Sequence, residues 1–131
     1  LISMITPLDP RHLLRQTIVQ QLFEWQQLSK IKDLHFKIRR HADDKTKQIV
    51  TSIEQIDQTI NSAVVKWSKD KINNIDLAIL RLAVFEIEIE KKEPVKVIID
   101  EAIELAKEFG SDSCADFVNG ILAKIISNAK R

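Results

Sequence analysis

The sequence holds one cysteine, two glycines, three prolines and no tyrosine in 131 residues, and each shortage closes off a class of protein. A single thiol, Cys114, can build neither an intramolecular disulfide nor a cysteine-based zinc cluster. So few glycines and prolines leave little material for tight turns or for a glycine-rich phosphate loop. No apolar run approaches the ~20 residues that span a bilayer, and the first residues lack the basic-then-apolar order of a secretory signal. The expectation is a soluble cytoplasmic protein with no membrane association. Without a linker-like stretch, residues 1–131 are expected to form one domain, large enough to bury a core unaided by metal or disulfide. Residues 1–8 are expected to be a flexible tail, with Leu1 and Met4 both candidate starts.

What is present favours helices. Leu, Ile, Val, Ala, Lys, Glu and Gln dominate, and straight-chain residues lose little side-chain freedom in a helix. The net charge of +1 is unevenly spread. Residues 1–50 carry nine Lys/Arg against five Asp/Glu and all three His, whereas residues 51–110 carry eight against twelve. A basic first third beside an acidic middle fits one face for an anion and another for a basic protein; ordinary solvated helix faces give the same totals.

Asp9-Pro10 reads as a helix start, the carboxylate accepting free amide hydrogens and the proline fitting the first helical position. Leu14, Ile18, Leu22 and Trp25 follow as an apolar stripe. Residues 30–42 set Ile31, Leu34 and Ile38 against Lys and Arg. From Asp44 to Trp67, the series Ile49, Ile53, Ile56, Ile60, Val64 and Trp67 predicts one long amphipathic helix. Ile75 to Ile89 is apolar nearly all round, which places it in the middle of a bundle. Lys91-Lys92-Glu93-Pro94 breaks it. Helices over about Val95–Phe109 and from Ser111 onward complete six, with Gly110 expected as a left-handed cap. The fold class is therefore all-α.

No catalytic motif appears: no paired-histidine metal motif and no nucleophile elbow. His12, His35 and His41 lack the i, i+3 or i, i+4 partner that puts two ligands on one helix face, so they read as surface or RNA-side histidines and no metal or cofactor is expected. Glu101, Glu104 and Glu108 share a face with Asp100 nearby, without the Glu-x-x-His pairs of a di-metal site. Arg81, a permanent charge in the most apolar helix, needs a carboxylate, with Glu86, Asp100 and Glu104 as candidates. Arg11, His12 and Arg15 open the first helix; Arg11 and Arg15 stand i, i+4, a geometry suited to phosphates. Phe117 and Asn119 open the last helix. There an exposed ring stacks on an unpaired base and an amide reads a base edge, although periodicity alone puts Phe117 in the core.

Several ordered blocks resemble one family. VIIDEAIELAKEFG over residues 97–110, followed by FVNGIL over 117–122, resembles the carboxy-terminal signature of the NusB antitermination factors. IDLAILRLAVFE over 75–86 resembles that family's central helix, QIDQTI over 55–60 the helix before it, and RQTIVQQLFEW over 15–25 its first helix. The resemblance implies a compact, non-enzymatic bundle of six to seven helices in two packed sub-bundles. It implies pairing with the small-subunit ribosomal protein NusE and binding of single-stranded boxA-type leader RNA, in an RNA polymerase antitermination complex. Carried over by match, the RNA-contacting residues are Arg11, His12, Arg15, Phe117 and Asn119, and the partner contacts fall near Phe23 and Asp76. Asp116 stands where relatives often carry Lys, and the basic run at the amino terminus is thin. The long apolar stripes allow a homodimer. Two other readings stay open: the accessory domain of an RNA cytosine methyltransferase, and a protein-only scaffold that has lost RNA binding.

Overall fold

A computed structural model describes residues 9–32, 42–64 and 72–130. Its helices are α1 (Pro10–Lys32), α2 (Asp44–Thr51), α3 (Ile53–Ala63), α4 (Asn74–Val84), α5 (Val95–Phe109) and α6 (Asp112–Ala129), and a π-helical turn over Phe85–Glu90 prolongs α4. The class is all-α, with no strand among the described residues. The tail over 1–8, most of the helix expected over 30–42 with His35 and His41, and Trp67 lie outside the described residues.

The helix starts follow from local chemistry. Asp9 Oδ1 accepts from the Arg11 amide at 2.8 Å, just before Pro10. Asp43 and Asn73 do the same for Lys45 and Ile75, each at 2.8 Å, and Ser111 Oγ takes the Cys114 amide at 3.3 Å. Each cap satisfies an amide that the helix cannot pair internally. After Pro94, whose fixed φ suits a helix entry, α5 runs over the expected Val95–Phe109.

Helix α4 packs against α1, α3, α5 and α6, so it is the element around which the others gather. Ala78, Ile79, Leu80 and Val84 are fully buried, which accounts for the missing polar face. Around them pack Ile18 and Leu22 of α1, Ile56 and Ile60 of α3, Ile98 and Leu105 of α5, and Leu122 of α6. Removing each of these side chains from water contributes roughly 1.5–3 kcal/mol.

Three expectations change. The helix from Asp44 onward is broken at Ser52, where ψ is 17°, into α2 and α3. Ile49 and Ile56 remain fully buried on either side, because a stripe reports the buried face and not the straightness of the axis. Gly110 has φ −127° and is no left-handed cap. A Cβ there falls 2.8 Å from Cys114 Sγ and 3.0 Å from the Ala106 carbonyl oxygen, so close approach to α6 is what requires glycine. The left-handed residue is Lys91, φ 55°, which ends the π turn with its amide donating to the Glu86 carbonyl at 3.0 Å. Finally, Arg81 meets none of its three candidate partners. It faces α3, where Nε and Nη2 donate to the two oxygens of Asp57 at 3.0 and 2.9 Å, and Nη1 donates to Gln26 at 3.0 Å.

Candidate functional site

The first turns of α1 carry the basic residues the sequence singled out, and the structure divides them. Arg11 is exposed, its side chain 68% accessible, and pairs with Asp9 and Glu93. The Asp9 carboxyl is held below the usual range, mainly by its hydrogen bond from the Arg11 side chain. His12 and Arg15 turn inward and are only 7% and 3% accessible. The surface reading of His12 is corrected, and Arg15, read as sharing an outward face with Arg11 for phosphates, points inward as well. They share a helical register with the buried Val19 and Leu22 (spacings 3, 4, 3), which points them at the core.

Burial of these side chains is matched by carboxylates from α5, the π turn and the connection between them. His12 Nδ1 lies 2.9 Å from Glu101, and Nε2 lies 2.9 Å from Glu108. Arg15 Nε donates to Glu86 at 3.1 and 3.2 Å, Nη1 to Glu101 at 3.2 Å, and Nη2 to Glu93. Lys45 of α2 closes the network, donating to Glu86 at 2.7 Å and Glu90 at 3.0 Å. Burial works against the Arg15 charge, yet Glu86, Glu93 and Glu101 more than offset it and raise its pKa. The arrangement is a strut: α1, α2, the π turn and α5 are fastened through one set of charges. Half of the acidic face expected on α5 is thereby used internally, through Glu101 and Glu108, while Asp100 and Glu104 stay exposed.

The second candidate region lies where α5 meets α6. Ile103 and Lys107 of α5 and Asp112, Ala115, Asp116 and Asn119 of α6 line an open cleft. Asn119 and Asp116 are exposed, whereas Phe117 is half-buried and packs against the core cluster, as its periodicity foretold. Successive residues of α5, Lys107 and Glu108, face this cleft and His12 respectively, so α5 lies between the start of α1 and the start of α6.

The expected partner residues sit on the packed pair α1 and α4. Phe23 is half-buried, but Asp76, in the first turn of α4, is only 5% accessible. Burial pushes its carboxyl up, the Cys114 thiol hydrogen-bonds to it and works the other way, and Oδ1 has no partner. Beside this pair a cleft is lined by Trp25, Ser29, Lys30, Asn74 and Leu77, and the Ser29 hydroxyl is buried there without a hydrogen-bond partner. Among the described residues no three His, Cys, Asp or Glu are placed to hold a metal, and no helix is long and apolar enough to cross a membrane.

Comparison with known proteins adds a family to this geometry. The profile of the NusB family matches residues 3–127. A transcription antitermination protein NusB of Agathobacter rectalis is 43% identical over 86 residues, 66% of each chain. That of Bacillus subtilis is 46% identical over 78 residues, 60% of each chain. These two matches thus take in under two thirds of the relatives' own length, while a Desulfitobacterium hafniense relative is 33% identical over 92% of this chain and 90% of its own. Among solved structures, T. maritima NusB superposes with a TM-score of 0.73 at 30% identity, covering 91% of this chain and 92% of that one. A structure of the antitermination factors NusB and NusE in complex with dsRNA shares the fold, with a TM-score of 0.71 at 23% identity over 90% and 96% of the two chains.

Proposed function

The chain belongs to the NusB family, and from that premise we propose that it is a cytoplasmic, non-enzymatic adaptor that pairs with a NusE-type ribosomal protein and binds boxA-type leader RNA in a transcription antitermination complex. The match along residues 3–127 to a family whose relatives are named antitermination proteins carries this reading. The geometry supports a division of labour in it. Arg11 is the exposed cation in the first turns of α1 and takes a phosphate, while His12 and Arg15 act from beneath by fixing the turn that carries it. Asn119 reads a base edge from the rim of the α5–α6 cleft, and Lys107 supplies charge beside it. Phe117 offers the part of its ring that packing leaves accessible. Phe23 and the cleft between α1 and α4 form the protein-facing side, with Asp76 supporting α4 from within.

Capture of the tagged chain with its own NusE-type ribosomal protein, with and without leader RNA, tests the pairing. Retention of that protein is expected in both conditions and strongest with RNA; its absence in both removes the reading.

Asp116 sets the strength of the RNA half. It is exposed on the cleft beside Asn119, where a carboxylate repels phosphate. Asp116→Asn is expected to tighten RNA binding about two- to fivefold at low salt, the worth of one solvent-screened charge interaction. Asp116→Lys adds a cation and should steepen the salt dependence by up to ~0.7 in log–log slope for a single strand. Fluorescence anisotropy across a salt series reads both; unchanged affinity in both variants places the RNA elsewhere.

A further inference from the structure

One imidazole fastens the first turn of α1 to α5 at both of its nitrogens. His12 Nδ1 lies 2.9 Å from Glu101 Oε1, while Nε2 lies 2.9 and 3.0 Å from the two oxygens of Glu108. An ionised carboxylate only accepts hydrogen bonds, and a neutral imidazole has one N–H to give. Two carboxylates at two ring nitrogens are both satisfied by the doubly protonated, positively charged ring. We infer that His12 is a protonation-operated clasp: charged, it locks the first turn of α1 onto α5, and neutral, it releases that turn together with the exposed Arg11.

The surrounding charges decide what happens on release. On α1, Arg15 is held by Glu86, Glu93 and Glu101, and Arg11 by Asp9 and Glu93. From α5, Glu101 keeps Arg15 Nη1 at 3.2 Å when the ring is neutral. Glu108 keeps the neutral amide of Gln16 at 3.1 Å. Beyond α5, Lys45 of α2 neutralises Glu86 and Glu90 and is tied to those two. Loss of the imidazolium therefore removes the cation that Glu108 faces. The carboxylate of Glu108 already reaches water, but the ring, 7% accessible, is left with a lone pair facing it, and opening of the first turn restores water to the ring.

The direction of titration agrees. Burial disfavours the charged ring, but the hydrogen bonds and negative charges of Glu101 and Glu108 outweigh it, so the His12 pKa is raised above 6.5. A raised folded-state pKa gives stabilisation that is complete below 6.5 and is lost as pH climbs through the folded value. The clasp thus weakens as pH rises above 6.5, the opposite in sign to a histidine buried neutral.

The test is NMR on the full chain from about pH 6 to about pH 9, spanning the imidazole range. It reads the His12 ring titration, assigned by comparison with His12→Gln, and amide exchange of residues 13–16 corrected for intrinsic rates. The ring is expected to titrate above 6.5, with opening of the first turn rising in step; each unit above 6.5 reads as a tenfold increase in opening across the titration. His12→Arg, permanently charged, should remove the pH dependence, and His12→Gln should leave the turn open throughout. A ring that titrates at or below 6.5, or first-turn exchange with the same pH profile in wild type and His12→Arg, overturns the inference. The wild-type ring titration decides alone if a variant does not fold.

Discussion

Replacing Asp57 with alanine is expected to lower the free energy of unfolding by about 3–5 kcal/mol, the cost of leaving a buried charge without its partner. Arg81 is 5% accessible, and its guanidinium makes the two-point contact with Asp57 that a planar fork favours. Gln26 takes a third donor, and Trp25 lies under the guanidinium at 5.6 Å from ring centroid to Cζ. Neither can neutralise the charge. The cation would stay buried between α1, α3 and α4 at the base of the α1–α4 cleft, or turn out through that cleft toward water. The paired replacement Asp57→Leu with Arg81→Met should recover most of the loss, because the desolvation penalty leaves with both charges. Urea unfolding followed by circular dichroism measures both variants. A single-variant loss under about 1 kcal/mol matches an exposed pair instead and contradicts the buried geometry.

Arg15→Ala is the second large effect, and it falls on stability before it falls on any ligand. The substitution strips Glu86, Glu93 and Glu101 of a shared cation. Glu86, 2% accessible, bears most of the penalty, since Glu93 and Glu101 are reached by solvent. Lys45 still neutralises Glu86 at 2.7 Å, which holds the expected loss near 3 kcal/mol, the low end for a broken buried pair. Arg15→Lys should recover little, because one ammonium cannot span three carboxylates as the fork does. If Arg15 met RNA directly, its removal would weaken binding and leave the unfolding midpoint in place. Unfolding curves and RNA titrations on the same sample separate these roles.

The sequence conveyed the helices well and the pairing of charges poorly. Caps at Asp9-Pro10 and Ser111, the all-apolar α4 and the stop at Lys91–Pro94 are local signals, and each element begins or ends beside them. Ser52 carries no such signal: a serine between Thr51 and Ile53 fits a helix interior, so the break between α2 and α3 shows only in backbone angles. Arg81 was legible as a charge needing a partner, but its partner depends on which helix packs across from it, and Asp57 lies 24 residues away. The inward turn of His12 and Arg15 was present in the spacing with Val19 and Leu22. It was masked because Arg11 and Arg15 also fit an exposed i, i+4 pair, and one spacing serves both readings until the carboxylates of α5 are in place. Phe117 shows the reverse: periodicity alone put it against the core, and there it packs.

The most direct test of the adaptor reading is equilibrium binding of boxA-type single-stranded RNA to the chain, alone and with its NusE-type partner, at low salt and against a scrambled RNA. The pair is expected to bind boxA-type RNA more tightly than the scrambled sequence. Phe117→Ala should weaken this by about fivefold or more, the lower end for loss of one stacked base, and Arg11→Ala should lower affinity for both RNAs alike. Absence of binding to either RNA, with and without the partner, contradicts the adaptor reading.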